Sequence, residues 1–183
     1  MKHIIVSLSL IVGIFFSASA QEQTSKYKVS LGGEFLYALG STGEFYSSGY
    51  GASLQGEYKL SPKLNITASG GYISLAVSKL YKDIFTPWNV ELSSKIFYPV
   101  KAGLKYNFHK NFYAGAEAGA AISKDQNARA TSLAYAGGLG NTFVISPKSS
   151  LDIGIRYEAW ALSANNTYSF GGIRAAYVFG FGY

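Results

Sequence analysis

The sequence contains no cysteine, and this absence removes one common way of holding an exported domain together. Small secreted domains often depend on disulfides, so an exported form of this chain must rely on backbone hydrogen bonds and packing. Charge is also scarce: 14% of the residues are charged, against about 25% in soluble domains. A water-soluble exterior built from this chain would be short of charged side chains.

Long apolar runs are absent beyond the N-terminus. The first residues combine a basic start, an apolar run from Ile4 to Phe16, and the small residues Ala18-Ser19-Ala20 before Gln21. Because this is the layout of a cleaved secretory signal, we predict a signal peptide over residues 1–20 and a single mature domain over residues 21–183. No later stretch reaches the roughly 18 apolar residues of a membrane-spanning helix.

Basic residues outnumber acidic ones, which raises the question of a nucleic-acid partner. Of the 16 Lys and Arg residues, one lies in the predicted leader, and the other 15 stand against 10 Asp and Glu. The basic residues are dispersed along the chain without a basic helix, and a secreted chain rarely meets nucleic acid. We therefore expect no nucleic-acid binding.

Beyond the leader, apolar and polar residues alternate with a period of two in eight stretches. The first places Tyr27, Val29 and Leu31 on one face, with Lys28 and Ser30 on the other. Successive side chains of a strand point to opposite faces, so this alternation predicts β-strands. All twelve charged residues of these stretches share the face that carries Gly, Ser, Thr and Asn: Lys28, Glu34, Glu57, Lys59, Lys95, Lys101, Lys105, Glu117, Asp152, Arg156, Glu158 and Arg174.

Three local features interrupt or complicate the pattern. Asn141 falls on the apolar face of the sixth stretch, about Leu133 to Ile145, which makes this the weakest of the eight. Pro99 lies inside the fourth stretch and cannot donate to a ladder, so we expect a bulge or bend there. Gly137-Gly138-Leu139-Gly140 resembles a phosphate loop, but it sits within a strand pattern with no helix after it, which favours a tightly packed barrel wall.

The connections between the stretches alternate in length. Three short ones carry turn-forming residues and Lys, at residues 60–64, 108–112 and 145–151. Longer ones, rich in Gly, Ser, Asn, Asp and Lys, fall near residues 40–48, 77–94, 123–132 and 162–169. Short turns at one end and long loops at the other are typical of a barrel in an outer membrane. We therefore predict an all-β fold: an eight-stranded antiparallel up-and-down transmembrane β-barrel.

Alternation alone does not say which face points outward, so a soluble barrel with an apolar interior is the alternative. Eight strands enclose a lumen just wide enough for side chains, and about ten inward Tyr and Phe rings would overfill it. A charge that faces lipid costs about 2–4 kcal/mol at mid-membrane, so we assign the apolar face to lipid. Aromatic residues near strand ends should form an interfacial girdle: Tyr58, Tyr106, Phe108, Phe112, Phe143, Phe179 and Phe181.

The leader, the eight alternating strands and the closing Tyr177-Val178-Phe179-Gly180-Phe181-Gly182-Tyr183 resemble a small outer-membrane β-barrel of the OmpA/OmpX type. The resemblance covers essentially the whole mature chain but is one of pattern, so it bears on the fold more than on an activity. It implies a monomer in the outer membrane of a Gram-negative bacterium, surrounded by lipid and lipopolysaccharide. It also implies that the barrel-insertion machinery reads a terminal signal formed by Phe179, Phe181 and Tyr183.

The charged residues of the predicted lumen fall into two groups. Unpaired charges buried at intermediate depth would cost several kcal/mol each, so we expect one group to pair into a network that plugs the lumen: Glu34, Lys101, Glu117, Arg156, Glu158 and Arg174. The alternative is a proton or ion path through the same residues. The second group should lie lower, partly wet, at the periplasmic mouth: Glu57, Lys59, Lys105 and Asp152.

Catalytic groups are scarce in the mature sequence. Its one histidine, His109, falls in a short turn, and no Ser-His or Cys-His pair can be assembled from a strand face. Asp152 and Glu158 lie about 20 Å apart by strand rise, too far for a paired-acid site. The acids are scattered and imidazole is lacking, which argues against a metal centre. We therefore expect no enzymatic activity, no metal and no cofactor.

The longest connection, Val77 to Ser94, carries apolar and aromatic residues that a loop does not need: Tyr81, Ile84, Phe85 and Trp88. They indicate a surface for adhesion or for binding a partner whose identity the sequence does not give. The alternative is that they fold over the barrel mouth or extend the strands above the membrane. We predict a structural or surface-interaction role, with a small-solute or lipid-handling barrel as the alternative.

Overall fold

A computed structural model describes residues 25–79, 94–124, 129–163 and 166–182. The predicted signal peptide, the four aromatic and apolar residues of the longest loop (Tyr81, Ile84, Phe85 and Trp88) and Tyr183 lie outside the described residues. The elements are β1 (Tyr27–Leu39), α1 (Thr42–Phe45), β2 (Tyr46–Lys59), β3 (Leu64–Val77), β4 (Lys95–His109), β5 (Phe112–Lys124), β6 (Arg129–Ser146), β7 (Ser149–Ser163) and β8 (Asn166–Phe181). None of the helical residues in these ranges builds a helix long and apolar enough to cross a bilayer.

Each strand pairs in antiparallel fashion with its neighbours in sequence, and β8 returns to pair with β1. The result is a closed barrel of eight strands in up-and-down order. Closure leaves no strand edge unpaired, which is the condition for a sheet to span hydrocarbon. The predicted eight-stranded antiparallel barrel is confirmed.

The strands run further into the expected loops than the sequence indicated. They are 13 to 18 residues long, whereas about 9–11 residues suffice to cross the hydrocarbon core. Ladder pairs continue to Lys124↔Arg129 and Ser163↔Asn166, where long loops were predicted. Polar, glycine-rich sequence reads as loop, but its backbone can still pair where a neighbouring strand is already in register.

Short turns join the strands at the end that holds the start of β1 and the end of β8. Only Lys110 and Asn111 separate β4 from β5, and only Pro147 and Lys148 separate β6 from β7. Lys110 has φ 31°, in the left-handed region that tight hairpins require. Short turns mark the periplasmic end of outer-membrane barrels. The start of β1 and the end of β8 therefore lie on the periplasmic side.

The apolar face of every strand points outward, as predicted. Leu54 is 55% exposed and Ile155 is 61% exposed, whereas Ser30 and Thr67 are buried inside the barrel. Aromatic side chains are exposed toward both ends of the barrel, among them Phe35, Tyr37 and Tyr50 toward the extracellular end. Phe143 of the predicted girdle is half-buried, and the exposed aromatic residues near the periplasmic end are Tyr27, Tyr58, Tyr106, Phe108, Phe112, Phe179 and Phe181. Phe179 and Phe181 of the predicted insertion signal pair with Val29 and Tyr27 of β1.

Two irregular positions behave differently from expectation. Pro99 produces no bulge: the pairing of β3 with β4 omits Gly71 and Tyr72 but resumes without a register shift, because a missing N–H removes rungs without adding a residue. The sixth strand, the weakest by sequence, is the longest at 18 residues. Asn141 pairs within it between Phe112 and Ile153, and its Oδ1 has no hydrogen-bond partner among the described residues.

Gly119, on the inner face of β5, lies close to the backbone of the neighbouring strand β4. A Cβ added at Gly119 would lie 2.1 Å from the carbonyl oxygen of Val100 and 2.7 Å from Lys101 Cα. At Gly33, on the outer face, an added Cβ would meet nothing within 4 Å. A methyl group at Gly119 would therefore collide with the backbone of the neighbouring strand β4, whereas one at Gly33 would enter open space.

We expect Gly119→Ala to lower the free energy of unfolding by about 1–3 kcal/mol, the usual range for overpacking. The matched change Gly33→Ala should leave it unchanged or raise it by up to about 1 kcal/mol, because it restricts only the unfolded chain. Urea unfolding in phospholipid vesicles, followed by tryptophan fluorescence, measures both. Equal effects of the two substitutions would contradict the close approach of the β4 backbone to Gly119.

Candidate functional site

Six charged side chains form one connected chain across the middle of the lumen. Its order, with acids and bases alternating, is Arg174–Glu34–Arg156–Glu158–Lys101–Glu117. These residues come from β8, β1, β7, β4 and β5, so the chain connects strands on different sides of the barrel. Three acids meet three bases, and the sum of their formal charges is zero.

Glu158 is the centre of this chain and is fully buried. Its Oε2 lies 2.7 Å from Arg156 Nε and 2.6 Å from Arg156 Nη2. Its Oε1 accepts from Lys101 Nζ at 3.1 Å and from Trp160 Nε1 at 2.9 Å. A carboxylate offers about four acceptor sites, so every site of Glu158 is occupied by a donor.

Polar neighbours complete the outer members of the chain. Arg174 donates to Ser53 Oγ and Ser30 Oγ, each at 2.9 Å. At the other end, Glu117 Oε1 accepts from Gln55, Thr67 and Ser69 at 3.4–3.5 Å, and its Oε2 lies 3.3 Å from Lys101 Nζ. Buried charges are tolerated when they are paired and hydrogen-bonded, and these meet both conditions.

Glycine stands opposite almost every charge of the chain. The in-register partners are Gly51 for Glu34, Gly119 for Lys101, Gly103 for Glu117, Gly138 and Gly172 for Arg156, and Gly154 for Arg174. A Cβ at Gly103 would lie 2.8 Å from Glu117 Cγ, and one at Gly138 would lie 2.8 Å from Arg156 Cβ. The glycines therefore make the space in which the long charged side chains reach one another.

A second charged group lies nearer the periplasmic end. Lys105 Nζ is 2.9 Å from both Glu57 Oε1 and Asp152 Oδ2. Asn65 donates to Glu57 at 3.2 Å, and Thr142 donates to Asp152 at 3.1 Å. The sequence predicted Glu57, Lys59, Lys105 and Asp152 to be partly wet. Lys59 is half-buried, but the other three are buried because they satisfy one another.

Tyr113 belongs to this group and was missed by sequence reasoning. Its hydroxyl donates to Asp152 Oδ1 at 2.6 Å, and Lys105 Nζ lies 3.9 Å from its ring centroid. The ring occupies space left by Gly140 and Gly154, where an added Cβ would lie 2.3 Å and 2.8 Å from Tyr113 atoms. The sequence feature that could have identified it is a single tyrosine on the charged face of β5, together with the glycines Gly140 of β6 and Gly154 of β7.

An apolar layer covers the chain of charges on its extracellular side. Its buried members are Leu36, Ala38, Tyr46, Ile73, Leu75, Phe97, Ala121, Ala134, Trp160 and Phe170. The Trp160 ring centroid lies 4.7 Å from that of Phe97 and 4.8 Å from that of Phe170. Sequence reasoning expected small and polar residues throughout the interior. The signal for this layer was present in the apolar residues that replace polar ones on the charged face toward the long-loop ends.

Small cavities lie among the charged side chains in the middle of the lumen. One cavity of about 80 Å³ is bordered by Thr67, Tyr113 and Glu117, and another of about 20 Å³ is bordered by Glu34 and Lys101. A buried water needs about 10–15 Å³ measured in this way, so these spaces match a few water molecules.

The remaining candidate residues are separate from the lumen chemistry. His109 ends β4 in a periplasmic turn and is exposed. Gly137-Gly138-Leu139-Gly140 lies within β6 and pairs on both sides, as the predicted barrel wall requires. Over the described ranges, no group of three or more His, Cys, Asp or Glu side chains is placed to hold a metal ion.

Glu158→Gln tests the central position of this acid. We expect the free energy of unfolding to fall by about 3–5 kcal/mol, because three buried bases would then face two acids, Glu34 and Glu117, and one positive charge would be left uncompensated. Glu117→Gln is the matched control: its side chain is 17% exposed and its contacts are longer, so its loss should be less than half as large. Urea unfolding in vesicles measures both, and a larger effect at Glu117 would contradict this order.

Solved structures of small barrels from bacterial outer membranes resemble this fold. Neisserial surface protein A aligns with 86% of this chain and 98% of its own, at 15% identity and a TM-score of 0.60. Ail, the attachment invasion locus protein of Yersinia pestis, aligns with 85% of this chain and 99% of its own, at 19% identity and a TM-score of 0.53. OprG from Pseudomonas aeruginosa aligns with 90% of this chain and 100% of its own, at 12% identity and a TM-score of 0.55.

At these identities the likeness concerns the fold alone, and no curated protein sequence matches the chain. The fold likeness agrees with the predicted OmpA/OmpX-like type and its location in the outer membrane. The sequence model of the outer membrane protein beta-barrel domain matches residues 8–182, nearly the whole chain. The chain therefore belongs to the family of outer-membrane β-barrel domains.

Proposed function

We propose that the protein is a closed, non-enzymatic barrel with a plugged lumen, which acts as a structural or surface-interaction protein through its extracellular face. The observation that carries this proposal is the filling of the lumen. A charge-neutral chain of six side chains lies at mid-depth, and a layer of ten apolar side chains lies above it. An ion would have to displace paired charges and then cross an apolar layer, so the lumen is unsuited to conduction.

Two further features support a role at the surface. The strands are longer than the membrane requires, so barrel wall projects beyond the lipid and can carry an interaction face. The longest loop has the apolar and aromatic residues Tyr81, Ile84, Phe85 and Trp88. One protein of similar fold, Ail, is named as an attachment invasion locus protein, and adhesion is one form that such a role could take.

The non-enzymatic part of the proposal rests on the state of the reactive groups. The lumen acids Glu34, Glu117 and Glu158 are engaged with cations, and none is free to act as a general base. The mature chain's histidine, His109, lies in an exposed turn away from them. A comparison of lipid A acyl chains from cells with and without the protein tests this part, and we expect no difference.

The closed lumen predicts that the purified protein gives no steady conductance in planar bilayers. Replacing three neighbouring rings of the apolar layer by alanine, at Phe97, Trp160 and Phe170, should produce openings, because it leaves a gap in the layer above the charged chain. Tyr157→Ala, a lipid-facing change on β7, is the control and should stay silent. Steady, large conductance of the unaltered protein would overturn the plug and favour the small-solute alternative.

The surface role predicts that the longest loop can be removed without loss of the barrel. Two variants test this: one lacks residues 80–90, and the other carries Tyr81→Ser, Ile84→Ser, Phe85→Ser and Trp88→Ser. We expect each to reduce the adherence of expressing cells at least tenfold. The adherence assay uses extracellular-matrix glycoprotein, glass and a lawn of the same cells. The control replaces residues 125–128 by Gly and Ser.

Resistance to heat, read as a mobility shift on boiling, shows whether each variant keeps its barrel. Loss of adherence with an intact barrel, and normal adherence of the control, is the expected result. Unchanged adherence of both loop variants would contradict a role for this loop.

A further inference from the structure

The periplasmic end of the barrel carries positive charge that is not balanced locally. Its turns and strand ends contain six lysines: Lys26, Lys28, Lys59, Lys63, Lys110 and Lys148. Over residues 25–28, 59–64, 107–111, 145–150 and 180–182, no Asp or Glu accompanies them. The nearest acids, Glu57 and Asp152, already hold Lys105 between them.

Three of the six lysines face a common cavity at the periplasmic mouth. Lys28, Lys59 and Lys110 line a space of about 80 Å³, together with Asn107 and Asn111, and the ion pair of Lys105 with Glu57 borders it too. This volume exceeds the roughly 10–15 Å³ that one buried water needs. The walls therefore offer ammonium and amide donors, and one carboxylate that is already paired with Lys105, around a space large enough for a group of several atoms.

The charges around this cavity repel one another. Lys28, Lys59, Lys105 and Lys110 carry like charges around it. Four lysines and two acids, counting Asp152 behind Lys105, leave a formal excess of two positive charges. Within the described residues, Lys28, Lys59 and Lys110 have no carboxylate at ion-pair distance. An anion in the cavity would relieve this repulsion.

The position of Lys110 supports a specific role for this lysine. Its φ of 31° is one that favours Gly or Asn in a two-residue hairpin turn. A lysine there costs conformational energy, and such strained positions concentrate at sites of function. Lys110 lies on the wall of the cavity.

We propose that the periplasmic mouth cavity, lined by Lys28, Lys59 and Lys110, binds a phosphate-bearing anion. Lysine is a common phosphate ligand that acts as a point charge, and three lysines around one space match the several oxygens of a phosphate group. Two sources share this chemistry: the headgroup of an anionic phospholipid in the periplasmic leaflet, and free inorganic phosphate. Lys26 Nζ lies 5.6 Å from the Tyr58 ring in the aromatic girdle, so the mouth lies near headgroup level.

The test compares two triple variants of the full chain. The cavity variant carries Lys28→Gln, Lys59→Gln and Lys110→Gln. The matched control carries Lys26→Gln, Lys63→Gln and Lys148→Gln, which removes the same charge from the same end but not from the cavity wall. The single variant Lys59→Gln is added in case the cavity triple does not fold, and heat-dependent mobility shows which proteins keep a barrel.

Each protein is measured in two arms at 0.15 M salt, about the physiological ionic strength. In the lipid arm, native mass spectrometry counts phosphatidylglycerol retained from nanodiscs that also contain phosphatidylcholine. In the phosphate arm, inorganic phosphate is titrated into nanodiscs of phosphatidylcholine alone while amide NMR signals of Lys59, Lys110 and Thr142 are followed.

We expect saturable binding in at least one arm, weakened at least tenfold in the cavity variant, measurably in Lys59→Gln, and little in the control. Loss of phosphatidylglycerol alone assigns the lipid headgroup, and loss of phosphate alone assigns the free anion. Absence of binding in both arms would overturn the proposal. Equal weakening in the two triple variants would also overturn it, because the attraction would then belong to the whole rim and not to the cavity.

Discussion

The structure depends on one constraint: a narrow barrel in lipid must place its charges inside and neutralise them there. A lipid-facing charge costs about 2–4 kcal/mol at mid-membrane, and an unpaired charge inside the lumen is also costly. The alternating chain from Arg174 to Glu117 satisfies both conditions. The glycines opposite its members follow from the same constraint, because eight strands leave little space for long side chains.

The fold could be predicted from sequence because its dominant signals are local. Strand alternation, the single charged face and the short turns each depend on residues close together in the chain, and together they determine the barrel and its sidedness. The weak sixth stretch still paired, since its neighbours in the closed sheet supply a register that Asn141 does not prevent. Strand ends were less predictable, because ladders extend wherever a partner strand continues, whatever the loop-like composition.

The interior could be predicted only in part, because its contacts join residues far apart in sequence. The list of lumen charges follows from parity, but the order of pairing depends on stagger around the barrel, which the sequence does not display. Tyr113 stands where it does because glycines on β6 and β7 leave space for its ring. The apolar layer around Trp160 was overlooked because one face of each strand was assigned to lipid and the other to polar and charged side chains. The side chains of this layer face neither lipid nor water, and they pack inside the barrel above a neutral network of charges.

The bond between Glu34 and its two arginines has a consequence for assembly. Glu34 lies on the first strand, while Arg156 and Arg174 lie on the last two, and Glu34 is directly opposite Arg174 across the seam where the sheet closes. Until that seam forms, a partly assembled sheet in the bilayer holds Glu34 on one edge without either arginine, and Arg174 on the other edge without its carboxylate partner. Such partly closed sheets are electrostatically unfavourable. If β1 and β8 paired two residues out of register, Glu34 would no longer lie opposite Arg174. The ion pairs across the seam therefore favour all-or-none closure of the barrel in a single register.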